Sequence, residues 1–226
     1  MTKFIFILIN LIILQIAFAA PLWGEEKALK TEAIFRKGVD GYNNIRIPAI
    51  CSTKEGTLLA FAEGREAGDK GDIDLIMRRF EDKGKTWGGI DVIWDDKDNT
   101  CGNPCPVVDL DTGTIWLFLT WNLGKDSETA IMTGESEHPR SPWVTYSDDD
   151  GKTWAKPKKL PHLRKKEWTW YATGPGNGIQ LLRGPHKGRL VIPANHADRM
   201  TTKRDSNTYR SHIIFSDDHG ESWQLG

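Results

Sequence analysis

One eight-residue phrase recurs three times along the chain. Ser147 to Trp154 reads S-x-D-x-G-x-T-W, and Ser216 to Trp223 reads S-x-D-x-G-x-S-W. Phe80 to Trp87 carries the same phrase with Phe in place of the leading Ser. The glycines at 84, 151 and 220 repeat at intervals of 67 and 69 residues. A near-constant period means copies of one structural unit packed beside one another. The phrase itself encodes a tight β-hairpin. Asp accepts hydrogen bonds from the N–H groups of its own loop, Gly supplies a positive φ, and Trp covers the turn and packs on the next strand. Asp82, Asp149 and Asp218 are therefore expected to tie turns, not to perform chemistry.

A second signal runs in phase with the first. Gly56, Gly113 and Gly188 each sit in a turn that leads into an apolar run. Each turn follows another apolar run: Ile47 to Cys51, Pro106 to Leu110, and Ile179 to Leu182. One unit then reads strand, turn, strand, longer connection, strand, Asp-box, strand. Repeated four-stranded antiparallel units predict an all-β chain of propeller blades. Propellers carry roughly 4–8 blades, so the three counted here predict a portion of a larger ring. No segment after residue 30 sustains a helical period.

Residues 1–19 form a separate segment. Lys3 precedes an apolar stretch from Phe4 to Phe18, which ends in Ala17-Phe18-Ala19. That layout predicts a secretory signal peptide cleaved after Ala19, and export to the periplasm or outside the cell. Residues 20–226 are then the N-terminal portion of one propeller domain. The net charge of −1 gives no field that would draw nucleic acid. The basic run from Lys156 to Lys166 reads as a solvated loop. Three cysteines make no disulfide framework. Cys51 and Cys105 read as buried apolar residues, and Cys101–Cys105 lacks a second pair for zinc. No motif calls for a metal or cofactor.

The informative charges lie outside the repeat phase. Ile45-Arg46-Ile47-Pro48 puts an arginine inside a strand, where burial demands an anionic partner. Phe61-Ala62-Glu63-Gly64-Arg65 ends the next strand with another, and the loop that follows holds Asp69 and Asp72. If first strands line the centre of the ring, Arg46, Arg65 and Asp69 can converge in one cup as an anion clamp beside an acid. The plainer reading is an internal salt bridge, for example from Arg65 to Glu63.

Arg-Ile-Pro, Ala-Glu-Gly-Arg, the Asp-bearing loop before Arg78-Arg79 and the phased Asp-boxes together resemble the exo-α-sialidases of six-bladed propeller type. The resemblance runs from about residue 32 to the end. It departs at Phe80, where the family has Ser. By resemblance, Arg46 is the first of the arginines that grip the sialic acid carboxylate, Arg65 lies beside it, and Asp69 is the acid/base. Asp72 and Asp74 compete for that last role, with Asp74 in strand alternation. The family motif sets Asn103 near the N-acyl pocket, where a plain turn residue is the alternative. Trp121, Trp170 and Tyr171 are candidate walls for the sugar ring or core aromatics.

The resemblance implies release of terminal sialic acids from glycoproteins, glycolipids and oligosaccharides with retention. It also implies a tyrosine nucleophile, a glutamate partner and further arginines beyond residue 226. A carboxylate nucleophile would be repelled by the substrate's own carboxylate, and tyrosine avoids that. The competing reading is a non-catalytic Asp-box propeller that binds glycans or protein. Such a scaffold has no need of Arg46, Arg65 and Asp69 together.

Overall fold

The computed structural model describes residues 31–80, 86–200 and 209–226. The expected signal peptide and Asp82 of the first Asp-box lie outside these. Residues from Ala33 to Gly226 form one compact unit. Each sequence repeat folds as one antiparallel blade. The first holds β1 (Asn44–Ser52), β2 (Leu58–Arg65), β3 (Ile73–Phe80) and β4 (Asp91–Trp94), paired in that order. The second holds β5 (Thr100–Val108), β6 (Ile115–Asn122), β7 (Ser141–Ser147) and β8 (Lys158–Lys159). In the third, β9 (Trp168–Thr173) and β10 (Ile179–Gln180) both pair with β11 (Leu190–Asp198), followed by β12 (Tyr209–Ser216) and β13 (Gln224–Leu225). The first strand of this blade therefore begins earlier than the apolar run at Ile179 implied. It is split in two at Gly174-Pro175.

The core sits between blades, and β6 shows how one strand serves two interfaces. Ile115, Leu117 and Leu119 face one way and pack with Leu59, Phe61, Leu75 and Met77 of the first blade. Phe118 and Trp116, from the alternate positions, pack with Leu190, Ile192 and Ile214 of the third. A period of two thus sends successive side chains to opposite neighbours. Because both blade faces are covered, β2 is buried at every position after Leu58, with no face left to solvent.

The Asp-boxes close their own turns and also join blades. Asp149 Oδ1 accepts from the Thr153 N–H at 2.9 Å, and Asp149 Oδ2 from the Thr153 hydroxyl at 2.6 Å. Asp218 makes the same pair with Ser222 at 2.9 and 2.5 Å. In both boxes the serine hydroxyl accepts from the glycine N–H. The tryptophans correct the expectation that they pack on the next strand. Trp154 stands edge-on to Phe61 at 5.7 Å, and Trp223 to Phe118 at 4.6 Å, so each packs on the preceding blade. A Cβ on Gly151 would lie 2.7 Å from Leu59, and one on Gly220 would lie 2.2 Å from Trp116. Glycine is required there for close approach as well as for its φ of 78° and 93°.

The first strands lie side by side, β1 against β5 and β5 against β9 and β10. Each is interrupted at a residue before proline with positive φ: Ile47 (54°), Asn103 (56°) and Gly174 (73°). Register shifts flank the first two. A β-branched residue at such a φ is strained, so the packing around Ile47 must hold it there. The interruptions re-aim the backbone at corresponding points of three adjacent strands. One helix, α1 (Glu128–Thr133), spans the connection from β6 to β7, capped by Ser127 and by Gly134 in the left-handed region. At six residues it is too short to leave a periodic trace in the sequence.

Candidate active site

Arg46 and Arg65 reach one point from neighbouring antiparallel strands. β1 carries Arg46 opposite Glu63, and β2 ends at Arg65, two residues further on. The chain then loops through residues 66–72 before β3. Asp69, on that loop, returns its carboxylate to the strand ends. Its Oδ1 accepts from Arg46 Nη1 at 2.5 Å and from Arg65 Nη1 at 2.5 Å. Arg65 Nη1 also donates to the Gly68 carbonyl at 3.0 Å, which fixes the loop's turn.

The two arginines differ in setting. Arg65 is 5% exposed and rests on Glu63, itself 1% exposed. Arg65 Nε donates to Glu63 Oε2 at 2.7 Å, and Nη2 donates to the same oxygen. The internal salt bridge and the clamp therefore coexist. Burial alone would weaken the hold of Arg65 on its proton, but Glu63 and Asp69 outweigh it and raise the pKa. Arg46 and Asp69 face solvent, with side chains 49% and 78% exposed. The hydrogen bond from Arg65, joined by the charge of Arg46, keeps the Asp69 carboxyl below the usual carboxylate range. In this state Asp69 is an ionised lid on two cations.

Asn103 ties this pair to the other two blades. Its positive φ turns its N–H to Glu63 Oε1 at 2.8 Å and its carbonyl to the Thr173 hydroxyl at 2.6 Å. Its Oδ1 accepts from the Thr120 hydroxyl at 3.0 Å and from Arg140 Nη2 at 2.5 Å. Arg140 is 6% exposed. It donates through Nε to Thr120 at 3.0 Å and lies over the Trp170 ring at 4.6 Å. Burial lowers its pKa to about 10, which leaves it charged at neutral pH.

The other candidates divide. Asp72 bonds to neither arginine; burial, then Asp95, Glu66 and Asp98, raise its pKa. Asp74 accepts from the Tyr42 hydroxyl at 2.7 Å, and burial pushes its carboxyl up to about 6. Asp72, Asp74 and Asp95 bring one carboxylate oxygen each within 4.8 Å of one another, as do Asp109 and Asp111 with a ring nitrogen of His219. In the second group, backbone amides, Gln180 and the His219–Asp109 pair engage these atoms. Trp121 donates to Asp96 at 2.6 Å, and its ring packs toward Trp143 at 6.3 Å. Tyr171 is fully buried and bonds to His212 at 2.8 Å inside the third blade. It cannot wall a sugar, which corrects that expectation. Trp170, its neighbour in sequence, faces the opposite way and meets Arg140. Sequence reasoning missed Arg140 and Thr120. Their only trace was a charged residue, Arg140, immediately before the third strand of a unit.

Fold and site define a class: an Asp-box propeller with a guanidinium–carboxylate cluster where its inner strands meet. The family of BNR repeat-like domains matches residues 56–226. An exo-alpha-sialidase of Aspergillus fumigatus is 40% identical over 174 residues, covering 68% of this chain and 42% of that protein. Sialidase-4 of Mus musculus is 35% identical over 195 residues, covering 80% and 40%. Among solved structures, the Hadza microbial sialidase Hz136 superposes with a TM-score of 0.72 at 28% identity, covering 85% of this chain and 39% of that one. The intramolecular trans-sialidase from Ruminococcus gnavus, in complex with oseltamivir carboxylate, shares the fold, with a TM-score of 0.69 at 17% identity, covering 85% and 62%. The chain belongs to the family of BNR repeat-like domains. It spans about two-fifths of the length of the curated relatives named above.

Proposed function

We propose that this chain supplies the first three blades of an exported retaining exo-α-sialidase that acts on sialylated glycans. One observation carries the reading: Arg46 and Arg65 converge on a single carboxylate oxygen. A site that holds a carboxylate of its own by two guanidinium groups can hold a substrate carboxylate in the same way. Export rests on the apolar N-terminal stretch ending in Ala17-Phe18-Ala19.

The chemistry follows from an exchange of carboxylates. Sialic acid bears its carboxylate on the anomeric carbon. When that group takes Arg46, Asp69 is freed from one cation and drawn toward the glycosidic oxygen. Away from the guanidinium groups its carboxylate takes a proton from solvent, gives it to the leaving glycosidic oxygen, and takes one back from the attacking water in the second half-reaction. Arg65 stays anchored on Glu63, so the grip does not collapse when Asp69 leaves. The tyrosine nucleophile and its glutamate belong to blades beyond residue 226.

The test is a fluorogenic sialoside assay on residues 20–226 and on the protein with its propeller complete. The complete protein turns over, and the three blades alone do not. Turnover by the three blades, abolished by Asp69→Asn, contradicts the assignment of the nucleophile elsewhere.

A further inference from the structure

Arg140 presents a physical problem. It is a permanent cation, buried, and no carboxylate forms a salt bridge with it among the described residues. Glu63 and Glu128 act on it only through space, so its burial is costly, and an apolar side chain of similar length would fill the space without that cost. Its partners are both neutral: Asn103 Oδ1 and the Thr120 hydroxyl. What distinguishes a guanidinium from any neutral polar group is that it donates and never accepts. A serine, threonine or glutamine in its place could face either end of the Asn103 amide. Arg140 can face only the oxygen.

Asn103 is otherwise consumed. Its N–H goes to Glu63 of the first blade, its carbonyl to Thr173 of the third, and its Oδ1 to Arg140 and Thr120 of the second. Nδ2 alone has no partner among the described residues, and it is not among the buried unpartnered atoms, so solvent reaches it. The residue's N–H rests on the same Glu63 carboxylate that anchors Arg65. The Trp170 ring beneath the guanidinium, 4.6 Å from its centre, restrains the plane of Arg140.

We propose that Arg140 is a positioning residue that locks the Asn103 amide with its Nδ2 hydrogens toward a glycan held on Arg46 and Arg65. The locked donor selects a sugar that carries an acceptor oxygen beside its carboxylate. This rests on the sialidase reading for the identity of the ligand, and not for the orientation of the amide.

The experiment is a double-mutant cycle in the complete protein, read as kcat/KM on a sialoside, together with side-chain 15N NMR of the unliganded protein. Asn103→Ala lowers kcat/KM by about 10-fold, the loss of one hydrogen bond to substrate. Arg140→Met lowers it by about as much, mainly through KM, and the double variant is no worse than Asn103→Ala alone. Arg140→Lys, which also only donates, recovers most of the loss and guards against misfolding as the cause. In the NMR arm, the Asn103 NH2 points away from Arg140 in the wild type and flips or averages in Arg140→Met. Losses that multiply to about 100-fold in the double variant mean independent roles and overturn the proposal. A wild type that fails to turn over sialosides strikes the sialidase reading alone. The amide orientation then decides the role of Arg140: an NH2 turned toward Arg140 overturns it, and one held away from it, and released in Arg140→Met, upholds it.

Discussion

The Asp69 carboxylate closes on the Arg46 guanidinium at 2.5 Å, and both partners face solvent. Exposed pairs of this kind contribute about 0–1 kcal/mol, so a second carboxylate can displace Asp69 from Arg46 at little cost. Grip and proton transfer are therefore separable. Asp69→Asn leaves the affinity for free sialic acid unchanged or a few-fold tighter, by calorimetry on the complete protein. The same variant loses about 10²–10⁴-fold in kcat on a substrate with a poor, alkyl-type leaving group, the range for removal of a general acid. Loss of affinity parallel to the loss of kcat contradicts the exchange.

The repeat architecture was open to reading because its determinants are local. Each Asp-box carries its whole turn within eight residues, and Asp149 and Asp218 bond only within their own turns and serines. What crosses between blades was not open in the same way. The direction in which Trp154 and Trp223 pack depends on the hand of the blade array, which no local phrase encodes. Tyr171 and Trp170 are adjacent in sequence, yet one is core and the other stacks on Arg140. Strand alternation fixes that they differ, not which one faces inward. Asn103 and Arg140 meet across 37 residues, joined by a helix too short to show a period. Arg46, Arg65 and Asp69 were within reach because they fall inside 24 consecutive residues of one blade.

Asp74 carries the pH prediction. Burial raises its carboxyl to about 6 from an ordinary 3.8, and its Oδ1 is buried without a partner. The raised value means that the folded state favours the protonated form. Stability from this group is fully present below pH 3.8 and declines as pH rises through about 6. Asp74→Asn keeps an acceptor for Tyr42 and removes the charge. At pH 7 it stabilises by about 1–2 kcal/mol, discounted from the full linkage for partial exposure, and near pH 4 the gain vanishes. Chemical denaturation at the two pH values measures it; an equal effect at both contradicts the burial argument.

The blade interface depends on glycines that no other residue can replace. Gly220→Ala places a methyl 2.2 Å from Trp116 at a φ of 93°, and Gly151→Ala one 2.7 Å from Leu59 at 78°. Each destabilises by about 2–4 kcal/mol through overpacking and backbone strain together. Trp223→Ala, which empties the contact with Phe118, costs about 3–5 kcal/mol. Urea midpoints of the variants give these values, and near-wild-type stability of Gly220→Ala contradicts the packing described.

The central claim is that Arg46 grips a carboxylate on the substrate. Its most direct test compares a sialoside with its neutral methyl ester, in the wild type and in Arg46→Met, by kcat/KM on the complete protein. A charge-assisted bidentate contact predicts that the wild type prefers the free acid by about 10²-fold or more, and that Arg46→Met loses most of that preference. An acid-to-ester ratio in Arg46→Met equal to that of the wild type contradicts it.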